Sequence, residues 1–503
     1  MNAASVTVDR SARVAPVNRR LFGAFVEHLG RGVYGGIYEP GHPFADADGF
    51  RLDVIDLVRE LGVSTLRYPG GNFVSGYRWE DGVGPQALRP ARLDLAWHSL
   101  ETNQIGLHEF ATWAGLVDAE LMLAVNLGTR GIENALDLLE YANHPSGTTL
   151  ADARRRHGAE QPFGVRMWCL GNEMDGPWQL GHISANSYGS LAARTAAAMR
   201  MFDPTLELVL CGSSHALMPT FGEWERVVLE HCYPHVDYIS LHAYYQERNG
   251  DTASFLASAV DLERFIEAVV ATVEHVQHKL RQPKTIGLSV DEWNVWYLDQ
   301  FEESGGIIDD WPQAPRLLED VYTVADGVVV GSLLITLLKH SNHVRAASLA
   351  QLVNVIAPIM TEPRGPAWRQ TTFLPFATTS RLATGDILRP HITCGFYETS
   401  RHGNVPVLDA VATHDAETEL TSVFLVNREN EPCTVTIDLR DVGAKRLLET
   451  ATLADEDPYA QNTLHDQTRV ALWPNNSAQL AEGRISVTLP PISWTASLIA
   501  GRD

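Results

Sequence analysis

The sequence predicts an α/β protein, a (β/α)8 barrel followed by a jelly-roll-like β-sandwich that also takes in the first strand of the chain. Three observations predict it. Apolar, strand-like runs recur at 21–27, 65–69, 121–127, 165–170, 206–211, 238–242, 286–290 and 348–355, with helix-period segments between them. Polar residues sit at the ends of these runs, where the strands of a parallel barrel converge on one mouth: Glu27, Arg67, Asn72, Asn126, Glu173, Ser213, His242, Tyr244, Glu292 and Gln351. Beyond residue 384 helical periodicity nearly vanishes, and 405–411, 422–426, 434–439 and 485–489 alternate apolar and polar residues between Asn, Asp, Gly and Pro turns. A doubly wound sheet is the alternative. It is disfavoured because no Gly-x-Gly-x-x-Gly follows the first run.

In chain order, Ala4-Ser5-Val6-Thr7-Val8 alternates like a strand with one wet face. It has no place among the eight barrel runs, so it is assigned to the sandwich. The expected division is a barrel over 16–384 and a sandwich built from 1–15 and 385–503. Between the barrel runs, Leu52, Ile55, Val58 and Leu61 fall at helical steps. The segment 185–201 is rich in Ala, Leu and Arg, 255–280 carries Val and Ile on a three-to-four period, and 317–338 is long and mostly apolar.

Charge and composition exclude several partners. The 39 basic and 62 acidic residues leave 39 − 62 = −23, which repels nucleic acid and anionic membrane surfaces. The most apolar window, 327–338, is too short to span a bilayer. The opening stretch MNAASVTVDRSARVAPVNRR has no apolar run of signal-peptide length, which sets the expectation of a cytoplasmic protein. Five scattered cysteines without a CxxC pair read as reduced, buried thiols. His108-Glu109 lacks the second histidine of a zincin, and the other histidines do not group at ligand spacing, although His28 and His242 can share a mouth. Neither a metal nor a cofactor is expected.

Two glutamates remain at strand ends: Glu173, after Met167-Trp168-Cys169-Leu170-Gly171-Asn172, and Glu292, after Leu288-Ser289-Val290-Asp291. Paired carboxylates suit glycoside hydrolysis, where one protonates the leaving oxygen and the other attacks the anomeric carbon. Alone, Asn172-Glu173 reads equally well as a helix cap. On the fourth and seventh strands of one barrel, the two glutamates face each other across the mouth. Asp291 is as acidic as its neighbour, but strand alternation is expected to turn it away from the face of Glu292.

Further segments narrow the reading: Gly23-Ala24-Phe25-Val26-Glu27-His28-Leu29-Gly30-Arg31, Leu66-Arg67-Tyr68-Pro69-Gly70-Gly71-Asn72-Phe73, Ser240-Leu241-His242-Ala243-Tyr244-Tyr245 and Gln351-Leu352-Val353-Asn354. With Gly171-Asn172-Glu173 and Asp291-Glu292-Trp293-Asn294 they resemble the α-L-arabinofuranosidases of glycoside hydrolase family 51, within the clan A retaining enzymes, from about residue 20 to the end. The resemblance implies that Glu173 is the general acid/base and Glu292 the nucleophile of an exo-acting retaining arabinofuranosidase. It further implies that Glu27, Asn72, Asn172, Tyr244 and Gln351 bind the arabinofuranosyl ring, and that Arg67 and His242 support the pair. Substrates would be arabino-oligosaccharides or arabinoxylan fragments, and the assembly a homo-oligomer, a hexamer or trimer of dimers.

Each position also has a plainer reading. Arg67-Tyr68-Pro69-Gly70-Gly71 reads as a tight turn, Gln351 as a satisfied core amide, and Glu27 as an ion-pair partner of Arg67. Tyr244 and Tyr245 point to opposite sides of their strand, and the resemblance favours Tyr244 for the mouth. Trp97, Trp178, Trp296 and Trp311 suit sugar faces or packing. The same scaffold also serves β-xylosides or endo-β-glucans, and, remotely, sugar binding without catalysis.

Overall fold

The computed structural model describes residues 2–307 and 310–501. Residues 1, 308–309 and 502–503, which fall inside the expected domain ranges, lie outside the described residues. Eight parallel strands close into a barrel: β1 (Gly23–Phe25), β2 (Thr65–Tyr68), β3 (Glu120–Ala124), β4 (Met167–Cys169), β5 (Glu207–Leu210), β6 (Tyr238–Tyr245), β7 (Gly287–Val295) and β8 (Val344–Leu349). Each apolar run of the sequence supplies one of them. The last is displaced: β8 starts four residues before the run and ends at Leu349, so Gln351 stands in the loop beyond it.

The helices follow their apolar faces. Leu52–Leu61 buries Val54, Ile55, Leu57, Val58 and Leu61 and stops at Gly62, whose left-handed φ of 76° ends the helix. The segment 317–338 is helical only over Val324–Lys339. Ahead of it, Leu318 takes a φ of 54°, incompatible with a helix, and both Leu317 and Leu318 pack into the core from a loop.

The β-sandwich combines both ends of the chain. One sheet runs in the order His391–Thr393, Asn2–Thr7, Cys433–Asp438, Arg484–Leu489, Gln479–Ala481. The other runs Arg13–Pro16, Asp386–Leu388, Leu408–Asp415, Leu420–Asn427, Ser493–Ala500, Arg446–Leu453, Trp473–Pro474. The N-terminal segment therefore gives a strand to each sheet.

Period-two alternation places the second sheet between two cores. Ala410, Ala412, Val423 and Leu425 face the first sheet, while Val411, Phe424, Val426 and Trp494 join the barrel core. The helix Val324–Lys339 lies between barrel and sandwich and is buried on every side up to Leu338, which explains its unbroken apolar sequence. No helix among the described residues is long and apolar enough to cross a membrane.

Candidate active site

Glu173 and Glu292 meet at the C-terminal mouth of the barrel. Glu173 stands in the turn after β4 with a φ of 42°, a left-handed corner that swings its side chain back over the strand ends. Glu292 comes from within β7, at an irregularity seen from both sides. Against β6 the pairing advances from Ser240↔Ser289 to His242↔Glu292, and against β8 from Val290↔Ala347 to Trp293↔Leu349. One extra residue is inserted into β7 at this point, which makes it a β-bulge.

The bulge overturns the expectation for Asp291. Alternation would have sent its carboxylate to the helix layer, yet it points into the barrel together with Glu292. Its Oδ1 lies 3.0 Å from His242 Nε2 and its Oδ2 3.5 Å from Arg67 Nε, and the Cys169 thiol approaches at 3.8 Å.

Arg67 and Tyr244 hold the Glu292 carboxylate. Arg67 Nη1 donates to Oε1 at 2.8 Å and the Tyr244 hydroxyl to Oε2 at 2.7 Å. Burial raises the Glu292 carboxyl above its ordinary value; His242, Arg67 and the Tyr244 hydroxyl act against this, and Glu173 adds to it. Arg67 also donates through Nη2 to Asn172 Oδ1 at 2.7 Å and stacks over the Phe25 ring. Its partners are thus Glu292, Asn172 and Asp291, and the reading of Glu27 as its ion-pair partner is corrected. Tyr245 turns the other way, with its hydroxyl 3.3 Å from Asp261 in the helix layer.

Glu173 is held through both oxygens. His242 Nδ1 faces Oε1 at 2.8 Å, and the indole of Trp178 donates to Oε2 at 2.6 Å. Asp291 Oδ1 and Glu173 Oε1 face the two ring nitrogens of His242, an arrangement in which a doubly protonated ring donates to both. Burial works against the charged ring, but Glu292, Asp291 and Glu173 outweigh it and hold His242 well above its ordinary value.

Glu27 forms a second cluster beside the pair. Its Oε1 accepts from the Trp97 indole at 2.7 Å and from the Phe73 amide at 2.9 Å. Gln351 binds it twice at 3.2 Å, donating to Oε2 and accepting from the Glu27 amide. Burial lifts the Glu27 carboxyl to about 8 against these donors. The glycines before Asn72 are required by close approach. A Cβ on Gly71 would stand 2.2 Å from Glu27 Oε2, and one on Gly70 2.6 Å from Arg67 Nη1. Asn72 itself is half-buried between Gly71 and Phe73, whose backbones border Glu27.

The tryptophans divide. Trp97 and Trp178 act through their N–H groups, a role that single-residue inspection of the sequence does not show. Trp296 packs edge-on to Tyr244 with ring centres 5.1 Å apart, and Trp311 stacks on His98 in the loop layer. Asn294 is not among the residues that the sequence marks as site candidates. Its amide donates to the carbonyls of Ala350 and Ile356, both at 2.6 Å, and so fixes the loop that presents Gln351.

Glu173, His242 and Glu292 bring one potential ligand atom each within 4.8 Å of one another, and Glu263, Glu267 and His340 do the same in the outer helix layer. In the mouth these groups are already engaged, His242 with Glu173 and Glu292 with Arg67 and Tyr244. A polar cleft of about 550 Å³ lined by Arg78, Glu80, Asp81, Thr129 and Arg130 opens on the loops after β2 and β3.

Residues 57–264 match the family described as "Alpha-L-arabinofuranosidase 1 domain", and 291–493 match "Alpha-L-arabinofuranosidase C-terminal domain". The chain is 58% identical to an exo-α-(1→6)-L-arabinofuranosidase of Bifidobacterium longum, over 98% of this chain and 96% of that one. It is 55% identical to an intracellular exo-α-(1→5)-L-arabinofuranosidase of Streptomyces lividans, over 99% of this chain and 75% of the relative. Among solved structures, a family 51 α-L-arabinofuranosidase from Bifidobacterium longum superposes with a TM-score of 0.96 at 49% identity, covering 99% of this chain and 100% of that one.

Proposed function

The chain belongs to the α-L-arabinofuranosidases of glycoside hydrolase family 51, and on that premise we propose that Glu292 is its nucleophile and Glu173 its general acid/base in a retaining double displacement. The protein is an exo-acting α-L-arabinofuranosidase. In the first step a Glu292 oxygen bonds to the anomeric carbon as the glycosidic C–O bond breaks, and the Glu173 proton passes to the leaving oxygen. In the second, water attacks the same carbon, gives its proton to Glu173, and releases the Glu292 carboxylate.

The observation that carries this reading is the spacing. One oxygen of Glu173 and one of Glu292 lie within 4.8 Å of each other, a close approach that suits the ~5–5.5 Å carboxyl separation of retaining enzymes better than the ~6.5–9.5 Å of inverting ones. Arg67 and Tyr244 favour the ionised form of Glu292, as a nucleophile requires. The polar groups of Glu27, Asn72, Asn172 and Gln351 border the space beside the pair and are assigned to the arabinofuranosyl hydroxyls, with Trp296 packing behind Tyr244.

The relatives' names carry (1→5) and (1→6) linkages. In a pentofuranose and a hexose respectively, these are primary oxygens, so we assign an arabinosyl unit linked to a primary alcohol as the substrate. A cytoplasmic location accords with the relatives named intracellular. A homo-oligomer, a hexamer or trimer of dimers, is part of the same reading, and sedimentation showing a monomer would remove it.

The roles are tested by Glu292→Ala, which should abolish turnover of an aryl α-L-arabinofuranoside, and by Glu173→Ala, which azide should rescue as the glycosyl azide. Turnover in methanol should give methyl α-L-arabinofuranoside. The β-anomer, or an active Glu292→Ala, would overturn the assignment.

A further inference from the structure

The β7 bulge places two carboxylates, Asp291 and Glu292, where a regular strand would place one, and both reach the same two cations, Arg67 and His242. Asp291 is 1% exposed and stands on the far side of His242 from Glu173. It lies below the reacting groups and has no path to substrate.

The arrangement balances charge. With Glu292 ionised and Glu173 protonated, Arg67, His242, Asp291 and Glu292 sum to zero. Once Glu292 is esterified and Glu173 has released its proton, Arg67, His242, Asp291 and Glu173 again sum to zero. The negative charge moves from one glutamate to the other across His242 Nδ1, which lies 2.8 Å from Glu173 Oε1 and 3.5 Å from Glu292 Oε2. Without Asp291, both states would bury an uncompensated cation, which is costly in a water-poor site.

We propose that Asp291 is a positioning residue that keeps His242 an imidazolium, so that a fixed cation lies between the nucleophile and the acid/base while the charge passes between them. The proposal rests on the roles given above to Glu173 and Glu292. The groups facing His242 are Glu173 and Asp175 from the loop after β4, Asp291 and Glu292 from β7, and Tyr244 from its own strand. Arg67 and the Cys169 thiol stand behind Asp291. Asp175, which burial lifts to about 6, is tied to the Ser214 amide and hydroxyl and is not within the bonded set of His242. Among the described residues, Asp291 is therefore the one carboxylate bonded to His242 that takes no part in bond making.

The test is ¹⁵N-histidine NMR of the full chain near pH 7, with His242 assigned by its loss in His242→Asn. The expected result is an imidazolium in the wild type and a neutral ring in Asp291→Asn. The pH profile adds a kinetic readout. His242 draws the Glu292 carboxyl down, so discharging it raises that group further, and the acid limb of kcat/KM moves to higher pH. A loss of about 10–100-fold in kcat accompanies it, the scale of one to two pK units of lost stabilisation.

Asp291→Glu restores charge at the cost of fit and should recover part of kcat, whereas a purely steric role would favour the isosteric Asn. A neutral His242 in the wild type, a persistent imidazolium in Asp291→Asn, or an Asp291→Glu enzyme no better than Asp291→Asn would each overturn the proposal. If Asp291→Asn does not fold, the wild-type spectrum and the spectrum and kcat of Asp291→Ala carry the same test. An active Glu292→Ala would instead remove the catalytic roles and leave the protonation result standing.

Discussion

The hydroxyl of Tyr244 donates to Oε2 of Glu292 at 2.7 Å from β6, the strand beside the one that carries the glutamate. This bond favours the ionised carboxylate, against the burial that raises the Glu292 carboxyl above its ordinary value. Tyr244→Phe removes the donor and keeps the ring that packs on Trp296. As the proposed nucleophile Glu292 must be ionised to attack, and a group raised further ionises later, so the acid limb of kcat/KM should move to higher pH. A fall of about 10–100-fold in kcat should accompany the shift. Profiles with an aryl α-L-arabinofuranoside measure both, and an unmoved acid limb would show that the hydroxyl does not tune the nucleophile.

Trp178 gives a different signature. Its ring is 48% exposed at the rim, yet its indole donates to Glu173 Oε2 at 2.6 Å. With His242 on the other oxygen, it fixes the plane of the carboxyl proposed to protonate the leaving oxygen. Trp178→Phe should lower kcat on arabino-oligosaccharides, whose leaving alcohols need protonation, by about tenfold or more. The loss should be smaller on an aryl arabinofuranoside whose leaving group departs without a proton. Equal losses on both substrates would place the role of Trp178 elsewhere.

Much of this architecture was legible because it is written locally. Each barrel strand announces itself as an apolar run, and Glu173 and Glu292 stand at the ends of two of them. The orientation of Asp291 was not legible, because a bulge is set by the registers of β6 and β8 and not by the four residues around it. The donor role of Trp97 was hidden for a related reason, since its loop meets Glu27 only in the folded barrel, while that of Trp178, in the same loop as Glu173, depends on the path of the turn after β4. Ser493–Ala500 escaped detection as a strand because both faces are buried, which erases the alternation that marks a half-wet strand. Leu317 and Leu318 had the apolarity of a helix and the surroundings of a loop, and composition cannot separate the two.

Gly71 at the mouth and Gly147, in the turn between the helices Ile132–Asn143 and Thr149–Arg156, allow close approach and positive φ to be separated. Gly71→Ala places a methyl group 2.2 Å from Glu27 Oε2 at a φ of 63°. Gly147→Ala, at a φ of 88° with nothing within 4 Å, introduces the backbone strain alone. Both should lose about 1 kcal/mol or more of stability. Only Gly71→Ala should also raise KM, by about tenfold or more, because it displaces the carboxylate held by Trp97, Phe73 and Gln351. Thermal unfolding and Michaelis kinetics on the two variants make the comparison. A normal KM in folded Gly71→Ala would remove Glu27 from substrate binding.

The contact between barrel and sandwich makes a prediction against helix propensity. Gly331 lies inside the helix Val324–Lys339, where replacing Gly by Ala ordinarily stabilises by about 1 kcal/mol. Here an added Cβ would stand 2.3 Å from Trp494 Cδ1 and 2.7 Å from its Nε1. Trp494 has little room to yield, being fully buried with its ring stacked on Phe424. The strand Ser493–Ala500 that carries it is hydrogen-bonded on both sides. Overpacking of this kind costs about 1–3 kcal/mol and outweighs the gain in propensity. Gly331→Ala should therefore lower Tm and leave the kinetics of the folded enzyme unchanged, since the helix meets the sandwich on the side away from the mouth. The double variant Gly331→Ala with Trp494→Phe should recover part of the loss by relieving the clash, at the cost of buried surface. If Gly331→Ala instead raised Tm, the close packing of this helix on the sandwich would be wrong at its centre.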